Sequence, residues 1–238
     1  MELRRFYVRP EDIVDGMVRV TGNEYRHMTG VLRFKVGYQA ILCDNTGVDY
    51  VALVRAIDKN SALLEIVSQE PNSAELEYDL TLCCGLIKPD KMEIEVQKAV
   101  EIGVKRIRPF VSRYTSETEV RQDRLERIAM EACKQCGRAI LPEICAPVRF
   151  ETLFDETSRY YMAYEKETKA LLRIVLDKPQ KGESVSLVIG SEGGFAEEEA
   201  ALAREKGATL FSLGKRILRA ETAAIVALGN VCALTEEL

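Results

Sequence analysis

The chain has one histidine among its 238 residues, His27. A zinc site built from clustered histidines is therefore excluded, and only His27 is available to a Ser–His or Cys–His catalytic unit. Whatever chemistry occurs must rest mainly on other groups, and no metal is expected. Cysteine is sparse and odd in number, seven at irregular spacing. The first twenty residues, MELRRFYVRPEDIVDGMVRV, hold no apolar stretch of the secretory kind. The thiols therefore read as reduced, and the expected location is the cytoplasm. Cys133 and Cys136 form one CxxC, but no second pair joins it, and EACKQCGR has helical character. It reads as small thiols on a helix. The longest apolar run near the end, Ala223 to Leu228, is far too short to span a bilayer, so no membrane partner is expected.

Positive charge is in overall deficit, with a net charge of −5, which argues mildly against a nucleic-acid partner. The distribution softens this. Residues 1–35 carry seven Lys/Arg against five Asp/Glu, and residues 88–138 carry twelve against nine. Two basic excesses on an acidic chain are enough for a phosphate-binding face.

The first seventy residues read as mostly β: strands at 4–8, 17–20, 39–43, 49–57 and 62–67, with one short helix over 23–32 and turn signals at DNTG and DKNS. This predicts a small barrel. The polar stretch SQEPNSAELEYD, residues 68–79, reads as an interdomain linker, giving domains over 1–72 and 73–238. Beyond it, strands (80–86, 107–111, 160–164, 185–189, 209–213) alternate with helices (91–102, 121–136, 168–176, 197–206, 221–234). The helix at 91–102 places Met92, Val96, Ala99 and Val100 on one face. Such alternation predicts an α/β domain with a mainly parallel sheet covered on both sides.

The chemistry-bearing stretch is VIGSEGGFAEEE, Val188 to Glu199, followed by LGKRILRAETAAIVAL, Leu213 to Leu228. In the first piece a buried strand ends at Gly190 and a glycine turn opens a helix. Gly193 and Gly194 permit positive φ and close approach to a ligand, and the glutamates suit the positive helix end. The spacing matches neither a P-loop, which needs GxxxxGK[ST], nor the GxGxxG of a Rossmann fold. The second piece sets three cations around two apolar residues, ahead of a helix apolar nearly all round, which is expected to be buried.

These two motifs together resemble the RsmE family of 16S ribosomal RNA uracil-N3 methyltransferases, of the SPOUT class. The resemblance extends to KPDKMEIEVQKAVEIGV at 88–104, to the run from Arg124 to Pro142, and to RRFYV at 4–8 and His27 with Val31-Leu32-Arg33. Three positions depart from the family pattern: Ser191 stands where proline is usual, Ala220 where threonine is, and Ala196 where a capping serine is. Weaker local rigidity is expected from them.

The resemblance implies an N-terminal PUA-like β-barrel and a C-terminal SPOUT domain with a deep trefoil knot. It implies S-adenosylmethionine as cofactor, with Val188, Gly190, Glu192, Gly194, Leu213, Gly214, Ile217, Leu218, Thr222 and Ala223 at its site. It implies 16S rRNA as partner, near the decoding site and within the assembled small ribosomal subunit, and a homodimer through the knot. Arg219 and Arg216, with Arg5 in addition, are the candidates for stabilising a uracil anion after N3 loses its proton to water or to Glu221. Arg4, Arg5, His27, Arg33 and Lys35 are the candidates for RNA backbone contacts. Two rival readings stay open: a SPOUT enzyme acting on another rRNA or tRNA position, and an RNA-binding ribosome-assembly protein without catalysis. Cofactor binding separates the second from an enzyme.

Overall fold

The computed structural model of the chain describes residues 3–117, 119–155 and 157–236. Strand pairing sorts the described strands into two sheets. The first holds β1 (Arg5–Tyr7), β2 (Ile13–Val14), β3 (Met17–Val20), β4 (Gln39–Cys43), β5 (Val48–Ile57) and β6 (Ala62–Pro71), in the order β1-β4-β5-β6-β3-β2. Its pairings are antiparallel except β1 with β4. Alternation decides which side chains go inward: Val18 and Val20 are buried while Arg19 between them is exposed. Val18, Val20, Phe6, Leu42, Val54 and Leu64 meet Met28 in one core. Register shifts between Val51 and Ala52 and between Val54 and Ala56 mark bulges along β5, which bend a strand. Helix α1 (Gly22–Arg26) widens into a π-type turn over His27–Val31.

The second sheet holds β7 (Asp79–Gly85), β8 (Arg106–Val111), β9 (Glu143–Ile144), β10 (Val148–Arg149), β11 (Arg159–Ala163), β12 (Ser184–Ile189) and β13 (Thr209–Phe211). The order is β10-β8-β7-β12-β11-β13, with β9 also on β8, and every pairing is parallel. In β7 all residues after Asp79 are buried, the mark of a strand covered on both faces. The connecting helices are α2 (Pro89–Glu101), α3 (Gln122–Cys136), α4 (Leu172–Val175), α5 (Glu197–Glu205) and α6 (Ala220–Thr235). Met92, Val96, Ala99 and Val100 are buried along α2, on the face the periodicity predicts. The unexpected fifth buried residue is Glu95.

The chain divides into two compact units, Met1–Glu75 with Cys133–Leu141, and Leu76–Ala132 with Pro142–Leu238. Placing the last turn of α3 and its following loop in the first unit is something no sequence pattern showed. The cause is polar. Arg138 is buried at 2% exposure and bonds Glu75 through Nε at 3.1 Å and Nη2 at 2.9 Å. The other Glu75 oxygen accepts the amides of Ala139 and Ile140. Tyr7 donates to the Arg138 carbonyl at 2.8 Å, and Asn72 donates to that of Gly137 at 2.9 Å.

Three sequence expectations are corrected. Residues 68–71, read as linker, continue β6, where Val51 pairs Ser68 and Val48 pairs Pro71. The helix expected over 168–176 shrinks to Leu172–Val175, because the Glu167 carboxylate takes the amides of Lys169 and Ala170 in a turn. Helix α6 is not buried all round. Ala224, Ala227, Leu228, Val231 and Cys232 face inward, while Thr222, Val226, Asn230, Ala233 and Leu234 are exposed.

Glu75→Ala removes the carboxylate that accepts from Arg138 through one oxygen and from two backbone amides through the other. Removing one member of a buried ion pair costs about 3–5 kcal/mol, so urea unfolding of the full chain should show a loss of that order. A loss below about 1 kcal/mol contradicts the assigned role.

Candidate active site

The parallel order carries the ends of β11, β12 and β13 to one edge of the second sheet. Three connections leave that edge: 163–165, 190–196 and 212–219. Together with the start of α6 they wall a cavity of about 520 Å³. This is the crevice at the carboxyl ends of parallel strands where α/β folds bind ligands.

Close backbone packing shapes the glycine turn. A Cβ on Gly85, at the end of β7, would lie 2.4 Å from the Ser191 nitrogen. A Cβ on Gly193 would lie 2.6 Å from Tyr114 Cβ and 2.8 Å from its carbonyl oxygen. Both positions exclude any side chain. Gly194 takes φ +66, and its amide donates to the Ser191 carbonyl at 3.0 Å, closing the turn. Ala196 has no side-chain oxygen to cap α5. Glu199 substitutes in part: one of its oxygens accepts the Ala196 amide at 2.9 Å, and the other accepts the Arg113 amide at 2.8 Å. One buried carboxylate thus ties the helix start to the loop after β8.

Of the residues expected at a cofactor site, Gly190, Glu192, Gly194, Leu213, Gly214, Ile217, Leu218 and Ala223 lie in the cavity wall. Val188 and Thr222 do not. Val188 is fully buried in the core beneath, because strand side chains alternate and its neighbour Ile189 takes the wall position. Thr222 is exposed on the outer side of α6, one helical step from Ala223. Ile217 is a rim residue, 91% exposed. The sequence reading missed Tyr164, Glu165, Ser191, Phe195, Ser212 and Lys215, all in the wall. Ser191, Phe195 and Lys215 sat inside the two motifs, where they could have been noticed.

Arg216 and Arg219 both lie in the wall, exposed, as does Lys215. Among the described residues these three cations have no hydrogen-bond or ion-pair partner, whereas Arg5, Arg108, Arg113, Arg124 and Arg138 are paired. Arg5, the third residue expected at the chemistry, differs from Arg216 and Arg219 in having a carboxylate partner. It belongs to the first unit, where it meets Asp49 through both terminal nitrogens, at 2.5 and 2.6 Å. Its side chain is only 11% exposed, and Asp49 in turn accepts from Asn72 at 3.0 Å. In the same unit Arg4, Arg33 and Lys35 are exposed, and His27 is half-buried with its ring 6.0 Å from that of Phe6.

No group of three or more His, Cys, Asp or Glu among the described residues could hold a metal, and no described helix is long and apolar enough to cross a membrane. Cys133 of the CxxC is buried, which pushes its thiol up to about 12 and leaves it protonated.

The model of an RNA methyltransferase domain matches residues 74–232, and that of an RNA methyltransferase PUA domain matches residues 20–67. The chain belongs to this RNA methyltransferase family. Two relatives are named ribosomal RNA small subunit methyltransferase E. The one from Bacillus subtilis is 30% identical over 92% of this chain and 91% of that protein. The one from Synechocystis is 32% identical over 98% of this chain and 78% of that protein. The crystal structure of the Neisseria gonorrhoeae protein of that name, bound to S-adenosyl methionine, has a TM-score of 0.87 at 28% identity, covering 98% of each chain. A putative methyltransferase from Legionella pneumophila, also in complex with that cofactor, has a TM-score of 0.88 at 27% identity over 98% of each chain. The fold is a PUA-like domain with an α/β domain of the SPOUT type.

Glu95 of α2 is coupled by charge to Glu192 of the cavity wall and to Glu221 at the start of α6. It is 1% exposed, with the buried Cys84 thiol beside its carboxyl. Burial pushes its pKa from 4.5 up to about 8, with the charges of Glu221 and Glu192 adding to the effect. A folded-state value above the ordinary one means that folding takes up a proton. The stability at this position is fully present below about pH 4.5 and is lost as pH rises through 8. Glu95→Gln removes the titrating group. Its melting temperature relative to the parent should therefore rise between pH 5 and pH 8.5, by the equivalent of a few kcal/mol. An equal difference at the two pH values would refute it.

Proposed function

We propose that the protein methylates N3 of a specific uridine in 16S ribosomal RNA, near the decoding site, using S-adenosylmethionine. The observation that carries the proposal is the cavity at the ends of β11, β12 and β13, with unpaired cations on its rim, in a chain of the RNA methyltransferase family.

The cavity suits that cofactor. Its volume of about 520 Å³ lies in the range of small-molecule sites. Ile189, Leu213 and Leu218 offer apolar walls for an adenine ring, and the glycines expose backbone polar groups at close range. Ser191 Oγ is buried in the wall with no partner in the protein, a polar atom for a ligand to satisfy. Glu165 and Glu192 give the wall negative charge, which favours a ligand bearing an ammonium and a sulfonium. When bound, the cofactor supplies an electrophilic methyl group.

The chain's own residues do the rest. Arg216 and Arg219 keep their charge at any working pH and have no carboxylate to neutralise them. They stabilise negative charge as it develops on the uracil once N3 loses its proton. The closed glycine turn holds the cofactor-side wall in place before the RNA arrives, so positioning supplies much of the acceleration. Arg4, His27, Arg33 and Lys35 of the PUA-like domain take the RNA backbone.

The same proposal includes the trefoil knot, the homodimer, the assembled small subunit as substrate, and the cytoplasm as the place of action. In support of the dimer, the outward stripe of α6 presents Val226 and Leu234, 37% and 40% exposed, to solvent.

Calorimetric titration with S-adenosylmethionine should show binding, and mass spectrometry of rRNA nucleosides from a deletion strain should show loss of 3-methyluridine. No binding at millimolar cofactor rejects the enzyme reading, and an unchanged 3-methyluridine level rejects the substrate. Arg219→Ala should lower kcat at least tenfold, the order for a lost transition-state contact, with little change in cofactor Kd. Equal losses in both would move Arg219 to cofactor binding.

A further inference from the structure

The connection after β8 places an aromatic ring beside the cavity that neither the motifs nor the family match assigns to any role. Tyr114 is 51% exposed. It is not a loose side chain on a wandering loop. The Arg113 amide donates to the buried Glu199 carboxylate at 2.8 Å, and that carboxylate also holds the start of α5. The Ser112 amide donates to Thr115 Oγ1 at 2.9 Å, and the Thr115 amide donates to the Ser112 carbonyl at 3.1 Å, closing a turn around Arg113 and Tyr114. The Tyr114 backbone and Cβ lie flush against Gly193 of the cavity wall, close enough to exclude any side chain there. The Arg113 guanidinium carbon stands 5.8 Å from the centre of the tyrosine ring, while Glu198 holds the same guanidinium at 3.2 Å.

An exposed aromatic ring costs solvation, and the backbone that carries this one is held in place by the bonds of Arg113 and Thr115. Both make sense where a flat apolar partner covers the ring. A second observation points the same way. Ile217, in another wall of the cavity, is 91% exposed, and Lys215, Arg216 and Arg219 of the same connection are cations without partners among the described residues. An aromatic face and an aliphatic side chain beside free cations match an unpaired nucleobase attached to phosphates. Single-stranded RNA is bound in this way, by stacking of its bases on aromatic rings within a positively charged setting.

We propose that Tyr114, held by Arg113 and Glu199, is a stacking shelf for an unpaired base of the substrate RNA at the mouth of the cavity. Its task is positioning: stacking holds the displaced base beside the methyl-transfer cavity, and the hydroxyl of the tyrosine takes no part. The inference rests on the RNA methyltransferase reading above and adds to it a residue and a type of contact.

The chain contains no tryptophan, so Tyr114→Trp installs a single fluorescent reporter at the shelf. Adding a single-stranded uridine-containing RNA oligonucleotide should quench it saturably. A full loss of stacking is worth roughly tenfold to a hundredfold. Tyr114→Ala should therefore raise KM for unmethylated small ribosomal subunits by that factor, with the Kd for S-adenosylmethionine unchanged, and Tyr114→Phe should restore the parent KM. Three results overturn the shelf: an unquenched Tyr114→Trp signal, an equal loss of cofactor affinity in Tyr114→Ala, or a change of oligomeric state in that variant. Failure of the reading beneath it looks different, because the parent protein itself would then neither bind the cofactor nor methylate the subunits.

Discussion

Parallel hydrogen bonding holds β12 between β7 and β11, with β13 on the far side of β11. Parallel strands cannot be joined by tight turns, so each connection must leave at the carboxyl edge and return around a helix. Three of those departures, after β11, β12 and β13, therefore fall side by side, and the cavity is the space between them. The ladder also brings the end of β7 against the turn after β12, where the missing side chain of Gly85 lets the Ser191 amide approach. The glycine turn, the capping of α5 and the placement of Tyr114 all depend on that alignment.

Charge is distributed around the cavity in two ways. Glu165 and Glu192 give the wall negative charge, while Lys215, Arg216 and Arg219 form a basic rim. The pattern suits a cationic cofactor held inside and an anionic polymer met at the mouth. Several arginines elsewhere in the chain are held by carboxylates, as Arg5 is by Asp49 and Arg138 by Glu75. Three cations without a partner among the described residues thus stand together on one connection at the cavity, a local basic feature on an acidic chain.

Glu95 is the one polar group in the α2 face that packing alone does not explain. A carboxyl stripped of water and beside two other carboxylates is costly unless it keeps its proton. Such a local cost, coupled by charge to the cavity wall through Glu192, is of the kind that proteins concentrate at functional sites.

Read alone, the residues determined a good deal. The period-two strands, the continuous apolar strands after residue 79 and the 3.6-residue spacing in α2 are local signals, set by which side chains must leave water. The glycine turn and the KRILR loop were legible for the same reason, since both are contiguous. The patterns pointed to a small barrel and a parallel α/β domain, and the PUA-like and SPOUT-type architecture that the resemblance implied is borne out by the family match and the similar solved structures. Only the tertiary structure decided the rest. Val188 and Ile189 are equivalent as text, yet the sheet turns one into the core and the other toward the cavity. Arg5, Arg216 and Arg219 look alike until Asp49, 44 residues away in sequence, captures the first. Arg138 and Glu75 meet across 63 residues to assign Cys133–Leu141 to the first unit, and Tyr114 gains meaning only because Glu199 fastens its loop beside Gly193. Pairing across such separations is fixed by the global packing of the chain, and no local pattern of residues encodes it.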